Sequence, residues 1–175
     1  MHVTVFSVGH STRTIQDFIA LLRAHGVRRV VDVRTVPRSR HNPQFDRAAL
    51  AKSLHSARIH YTHLADLGGL RHARRDSTNL GWHNASFRGF ADYMLTPKFE
   101  QGLKRLIELA REEQCGVMCA EAVPWRCHRS LIGDALAVRK IPVRHITSRT
   151  RAEMHHLTPF ARVNGTIVTY PQAAD

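Results

Sequence analysis

The sequence predicts a three-layer α/β/α fold around a central, mostly parallel sheet of about five strands. Two observations carry this expectation. Short β-rich runs alternate along the chain with segments of helical apolar periodicity, the pattern of successive βαβ units. The second strand run, Val27 to Val33, has a near-continuous apolar centre, which suits a strand covered on both faces. The 175 residues, 43% hydrophobic and 23% charged, fit one soluble α/β domain spanning 1–175. The segment from about 147 is expected to be irregular.

Val3 to Val8 reads as the first strand and ends in Gly9-His10-Ser11-Thr12. Ile15, Phe18, Ile19 and Leu22 share one helical face, so a helix capped by Thr12 or Thr14 follows and stops near Gly26. After Val27–Val33 comes a basic loop from Arg34 to Phe45 with two prolines. Asp46 then caps a helix to about Ala57, and Ile59 to Leu64 makes a third strand. Asp66 to Asn79 is a long Gly- and Arg-rich loop, of a length that marks function or disorder. A short helix starts near Gly89. Thr96-Pro97 opens another, with Phe99, Leu103, Leu106, Ile107 and Ala110 as its apolar stripe. Gly116–Cys119 is the fourth strand, Cys127 to Arg139 a helix, and Pro142 to Ile146 the fifth strand. Thr166–Tyr170 is a candidate edge strand.

In such sheets ligands bind beyond the carboxyl ends of the strands. That rule gathers Gly9-His10-Ser11, Arg34–Phe45, Asp66–Arg75 and Glu121–Arg129 on one rim. No apolar run approaches the length of a membrane span, and the N-terminus enters a strand pattern without a basic leader. A cytoplasmic protein with no membrane association is expected. Three cysteines (Cys115, Cys119, Cys127) are an odd number and argue against a disulfide framework. The net charge of +12 attracts polyanions, so an anionic small molecule or nucleic acid is the expected partner. Twenty-two arginines against four lysines also fit an arginine-rich proteome.

Cys127, placed at a helix start beside Arg126, His128 and Arg129, is the candidate nucleophile, redox thiol or metal ligand. Adjacency in sequence does not by itself put the His128 imidazole on the thiol. Arg126 and Arg129 form a candidate anion cradle, joined by His128, Ser11, Arg34 and Arg38. Glu121 and His10 are the candidate acid/base groups, and Asp32 is placed to orient Arg34. Cys119 is expected to be wall. A metal set of Cys119, Glu121, Cys127 and His10 is conceivable, but no spacing demands it, so no metal ligand is assigned and no cofactor follows from the residues.

The motifs Ser7-Val8-Gly9-His10-Ser11, Val31 through Ser39, Asn42-Pro43-Gln44-Phe45, Leu67-Gly68-Gly69, and Cys119-Ala120-Glu121 through Cys127-His128-Arg129 are together specific. On them the chain resembles domain-of-unknown-function family 488, from about Val5 to Thr147. That resemblance implies an α/β fold and a shared motif set, and no reaction. A weaker likeness, to rhodanese-type domains, rests on Asp32-Val33-Arg34 and a later cysteine loop. The loop from Cys119, with Pro124 and Trp125 inside it, is too long for that fold's compact cradle. Three functions follow as expectations. The first is an enzyme acting on an anionic substrate such as a nucleotide, nucleic-acid component or phosphate-bearing molecule. The others are a non-catalytic nucleic-acid-binding module and a thiol redox or metal-binding protein.

Overall fold

A computed structural model describes residues 2–174. The elements run β1 (Val5–Gly9), α1 (Ile15–Ala24), β2 (Arg29–Asp32), α2 (Arg47–Ser56), β3 (His60–His63), α3 (Ala85–Tyr93), α4 (Pro97–Glu112), β4 (Cys115–Cys119), α5 (Arg129–Ala137) and β5 (Val143–Ile146). Three short strands follow: β6 (Ala152–Met154), β7 (Arg162–Asn164) and β8 (Ile167–Thr169). The main sheet has six strands in the order β3-β2-β4-β1-β5-β6. Its first five are parallel, and β6 pairs antiparallel to β5. The expected three-layer α/β/α architecture is present.

Strand alternation explains the layers. Val8, Val30, Met118 and Ile146 point to one face and pack with Phe18, Leu22, Leu50 and Leu54 from α1 and α2. Val5, Val31, Val117 and Val143 point to the other, against Phe90, Phe99, Leu103, Leu106 and Leu131 from α3, α4 and α5. Each such side chain buried from water contributes roughly 1.5–3 kcal/mol before the entropy of ordering it is subtracted. β4 lies between β1 and β2. The chain leaves β1 and β2 towards one face and leaves β4 towards the other. Connections that diverge in this way open a crevice at the carboxyl ends of the strands.

Local chemistry sets the element ends. Thr14 and Thr96 cap α1 and α4 through their hydroxyls, as the sequence predicts. α3 starts four residues before the expected Gly89, because the Asn84 side chain accepts the N–H groups of Ser86 and Phe87. Asp46 occupies the cap position of α2, but its carboxylate accepts the Ser39 N–H (2.8 Å) instead of a helix N–H. The helix expected from Cys127 begins at Arg129. Pro124–Arg126 forms a 3-10 turn, and Cys127 is extended (φ −134°, ψ 147°).

The expectation of an irregular segment after about 147 is corrected. β6 extends the main sheet, and Thr166–Tyr170 contributes β8 to a separate hairpin with β7, not to an edge of the main sheet. β6 and β7 are three residues long and largely exposed, so they carry almost no apolar alternation to read. The long loop after β3 is ordered. Asp92 accepts the Arg74 N–H, the Ser77 hydroxyl and the Asn79 amide, and Arg71 lies 3.7 Å over the Tyr93 ring. Among the described residues no helix is long and apolar enough to cross a membrane.

Candidate active site at the carboxyl rim of the sheet

A cavity of about 340 Å³ opens where the chain leaves β2 and β4. Arg34, Thr35, Val36 and Arg38 form one wall, and Cys119, Ala120, Glu121, Arg126, Cys127 and His128 the other. Gly69, Leu70, Ser86 and Phe87 close the side. The loops expected to share a rim therefore do so, although His10, Ser11 and Arg129 do not line the cavity.

Two sulfurs sit at its base. Cys119 ends β4, and Cys127 follows the 3-10 turn that folds the chain back over it. The result is Cys119 Sγ at 2.7 Å from Cys127 Sγ, with both residues less than one-tenth exposed. Cys119 is therefore a partner of Cys127 and not merely wall. The first N–H of α5, from Arg129, points at Cys127 Sγ from 3.5 Å. The Arg129 side chain is buried, and each of its three guanidinium nitrogens donates a hydrogen bond. Its Nε donates to Cys119 Sγ (2.9 Å), Nη1 to the Ser7 hydroxyl and Nη2 to the Glu121 carbonyl.

Burial alone would raise the Cys127 thiol. The hydrogen bond from Cys119 and the Arg129 charge and N–H overcome burial and hold it at about 7. Cys119 goes the other way, pushed well above an ordinary thiol by burial and by that same bond. Cys115, at the far end of β4, is raised to about 12 by burial and does not line this cavity.

His128 completes the thiol's surroundings. Its Nε2–H donates to the Val33 carbonyl (2.9 Å), which leaves Nδ1 as an acceptor 3.5 Å from Cys127 Sγ. Phe90 packs edge-on against the ring, and burial lowers the imidazole's proton affinity. The neighbours in sequence are thus a contacting Cys–His pair, which adjacency alone did not predict.

The remaining predicted residues divide into two groups. Arg38 and Arg126 are exposed at the mouth, and among the described residues neither guanidinium has a hydrogen-bond or ion-pair partner. Glu121 is also exposed there, its carboxylate accepting the Val123 N–H (3.2 Å). Arg34, by contrast, is buried and held by Asp32 through Nε (2.9 Å) and Nη2 (2.8 Å), and Nη2 also donates to the Phe45 carbonyl. His10 lies flat on Phe45 (4.2 Å between ring centres). Its Nδ1 donates to the Ser11 carbonyl and its Nε2 faces Arg34 Nη1. Burial lowers its proton affinity. Ser11 takes a positive φ (49°), which swings the loop over β4 so that its N–H reaches the Ala120 carbonyl. Gly9 permits that approach, since a β-carbon there would run into the Glu121 carbonyl. The Cys119, Glu121, Cys127 and His10 set is not assembled, and among the described residues no three His, Cys, Asp or Glu side chains converge to hold a metal.

Sequence reasoning missed the support behind Arg129. The Ser7 hydroxyl accepts from Arg129 and donates to His145 Nδ1 (3.0 Å). His145 Nε2 donates to His155 Nδ1 (2.9 Å), and His155 Nε2 to Asp134 (2.8 Å). Tyr170 donates to the other Asp134 oxygen (2.7 Å). Ser7, His145 and His155 each accept one of these hydrogen bonds and donate the next, and Asp134 accepts at the end. The only advance signal was a serine in the first strand's motif and a histidine in the fifth strand.

The family profile described as "Domain of unknown function DUF488" matches residues 14–136. No curated protein and no solved structure matches the chain.

Proposed function

The chain belongs to the family Domain of unknown function DUF488, which brings no reaction with it, and from the site itself we propose an enzyme that uses Cys127 as nucleophile on a small anionic substrate. The observation that carries the proposal is the set of groups around one sulfur. Cys127 Sγ faces an open cavity while receiving the Arg129 N–H and contacting both Cys119 Sγ and His128 Nδ1. Thiolates are the reactive form of cysteine, and a thiol held near neutral pH supplies one without strong base. Arg38 and Arg126 at the mouth supply unpartnered cations for the substrate's charge. A cavity of about 340 Å³ suits a small molecule better than a polynucleotide track.

In this reading Cys127 reacts as the thiolate favoured by the Arg129 N–H and charge, and its Sγ attacks an electrophilic atom of the bound anion. A bond from sulfur to that atom forms as the bond to the leaving group breaks, and the leaving group departs with the electron pair. Glu121, which lines the mouth, is the acid/base group assigned to the leaving group. His10 and Arg34 act as supports beneath the site.

Paired alkylation tests the proposal. Iodoacetate is intrinsically no faster than iodoacetamide towards a free thiol, so its charge is the probe. Cys127 should react several-fold faster with iodoacetate, and Arg38→Ala with Arg126→Ala should remove that preference. No preference in the native protein would sink the anion assignment. Labelling that spares Cys127 in the folded protein would sink the nucleophile.

A further inference from the structure

We propose that Cys119 and Cys127 form a two-thiol centre that reduces a small anionic disulfide, with Cys127 attacking and Cys119 resolving. This rests on the assignment of Cys127 as nucleophile and adds the substrate class. The decisive geometry is Cys119 Sγ at 2.7 Å from Cys127 Sγ, inside the contact distance of two sulfurs, at the base of a cavity that both line. Closing a bond of about 2.05 Å between them needs little further movement of either sulfur. Cys115 has no place in the reaction, because it is buried at the opposite end of β4.

The second thiol decides the reaction class. If the adduct on Cys127 were an acyl or phosphoryl group, attack by Cys119 would only move it from one sulfur to the next and release nothing. If the adduct is a mixed disulfide, attack by Cys119 on Cys127 Sγ closes an S–S bond and expels a thiol. A resolving sulfur held against the nucleophile therefore has a use with a disulfide that it lacks with an acyl or phosphoryl electrophile.

The steps balance. The Cys127 thiolate attacks one sulfur of RS–SR, forming Cys127–S–SR and releasing RS⁻. Cys119 gives up its proton and attacks Cys127 Sγ. The Cys127–SR bond breaks, the second RS⁻ leaves, and the Cys119–Cys127 disulfide remains. Two protein thiols are oxidised and one disulfide is reduced to two thiols, the two protons coming from the cysteine pair. Arg129 Nε, 2.9 Å from Cys119 Sγ, supports negative charge on that sulfur as it loses its proton. Arg38 and Arg126 meet the charge of R.

The test is intact-mass analysis of the reduced protein after exposure to oxidised glutathione, whose carboxylates suit the mouth. The native protein should lose two hydrogens without a lasting adduct, and peptide mapping should link Cys119 to Cys127. Cys119→Ser should stall as a glutathione adduct on Cys127. A lasting adduct on native Cys127, equal to that of Cys119→Ser, would overturn the resolving role while leaving the nucleophile intact. Absence of any adduct in Cys119→Ser would overturn both readings. The mapping uses native protein alone, so a poorly folding variant does not decide the outcome. Oxidised glutathione should also react at least several-fold faster than the cationic disulfide cystamine. Equal rates would remove the anionic substrate class.

Discussion

Gly69 packs against the imidazole of His128 so closely that a β-carbon built on it would stand 2.5 Å from Nδ1. His128 cannot easily yield, being tied to the Val33 carbonyl on one side and packed on Phe90 on the other. Gly69→Ala should therefore cost about 1–3 kcal/mol in urea unfolding, as overpacking does, and slow the alkylation of Cys127. Native stability and native rate together would show that His128 is not a fixed partner of the thiol.

The alkylation rate of Cys127 by iodoacetamide should rise with pH through a midpoint near 7, because the thiolate reacts and the thiol is held at about 7. Arg129→Lys, which keeps a charge but loses the fork on Cys119 and Ser7, should move that midpoint upward. A midpoint of 9 in the native protein would refute the arrangement. The same shift affects folding. Between 7 and 9 the unfolded thiol holds a proton that the folded one has released, so this group's stabilisation grows with pH across that window and is absent below it. Cys119, shifted upward, opposes it above the ordinary thiol range.

Asp32 is buried beneath Arg34 with both carboxylate oxygens engaged, one of them also by the Tyr61 hydroxyl. Removing one partner of a buried pair strands the other's charge. Asp32→Ala should cost about 3–5 kcal/mol in equilibrium unfolding. A loss under about 1 kcal/mol, the value of an exposed pair, would mean that water reaches Arg34.

Burial, with His155 and Arg129 beside it and Asp134 partly offsetting them, holds the His145 imidazole neutral down to about 3. As pH falls from 6.5 to 3 the unfolded chain takes up a proton that the folded chain refuses, so this contribution is complete above 6.5 and is lost through that window. The loss approaches about 1.4 kcal/mol per pH unit for one such group. His145→Gln should flatten the dependence of the urea midpoint between pH 6.5 and 4. An unchanged slope would assign acid sensitivity to other groups.

Much of this molecule was legible because its signals are local. Thr14 and Thr96-Pro97 announce their helices through hydroxyl and ring chemistry that acts within three residues. The apolar run before Asp32 announces a strand covered on both faces, and alternation of such runs with helices places four loops on one rim. The short strands β6 and β7 were hidden, since their residues are mostly exposed and follow neither period, whereas β8 lies within the strand expected at Thr166–Tyr170 but pairs with β7. The start of α5 was misplaced by two residues because Pro124 sets a 3-10 turn first and leaves Cys127 extended.

By itself the sequence determined that Cys127, His128 and Arg129 stand where a helix begins beside a parallel strand's end, and that arginine loops surround them. Tertiary structure alone decided how those side chains point. The seven residues from Ala120 to Arg126 fold Cys127 back onto Cys119, Gly69 and Val33 orient His128, and a chain through Ser7, His145 and His155 to Asp134 steadies Arg129. The division is physical. Periodicity and capping act through neighbours along the chain, whereas the direction of a side chain at a sheet rim is settled by contacts with residues up to 138 positions away.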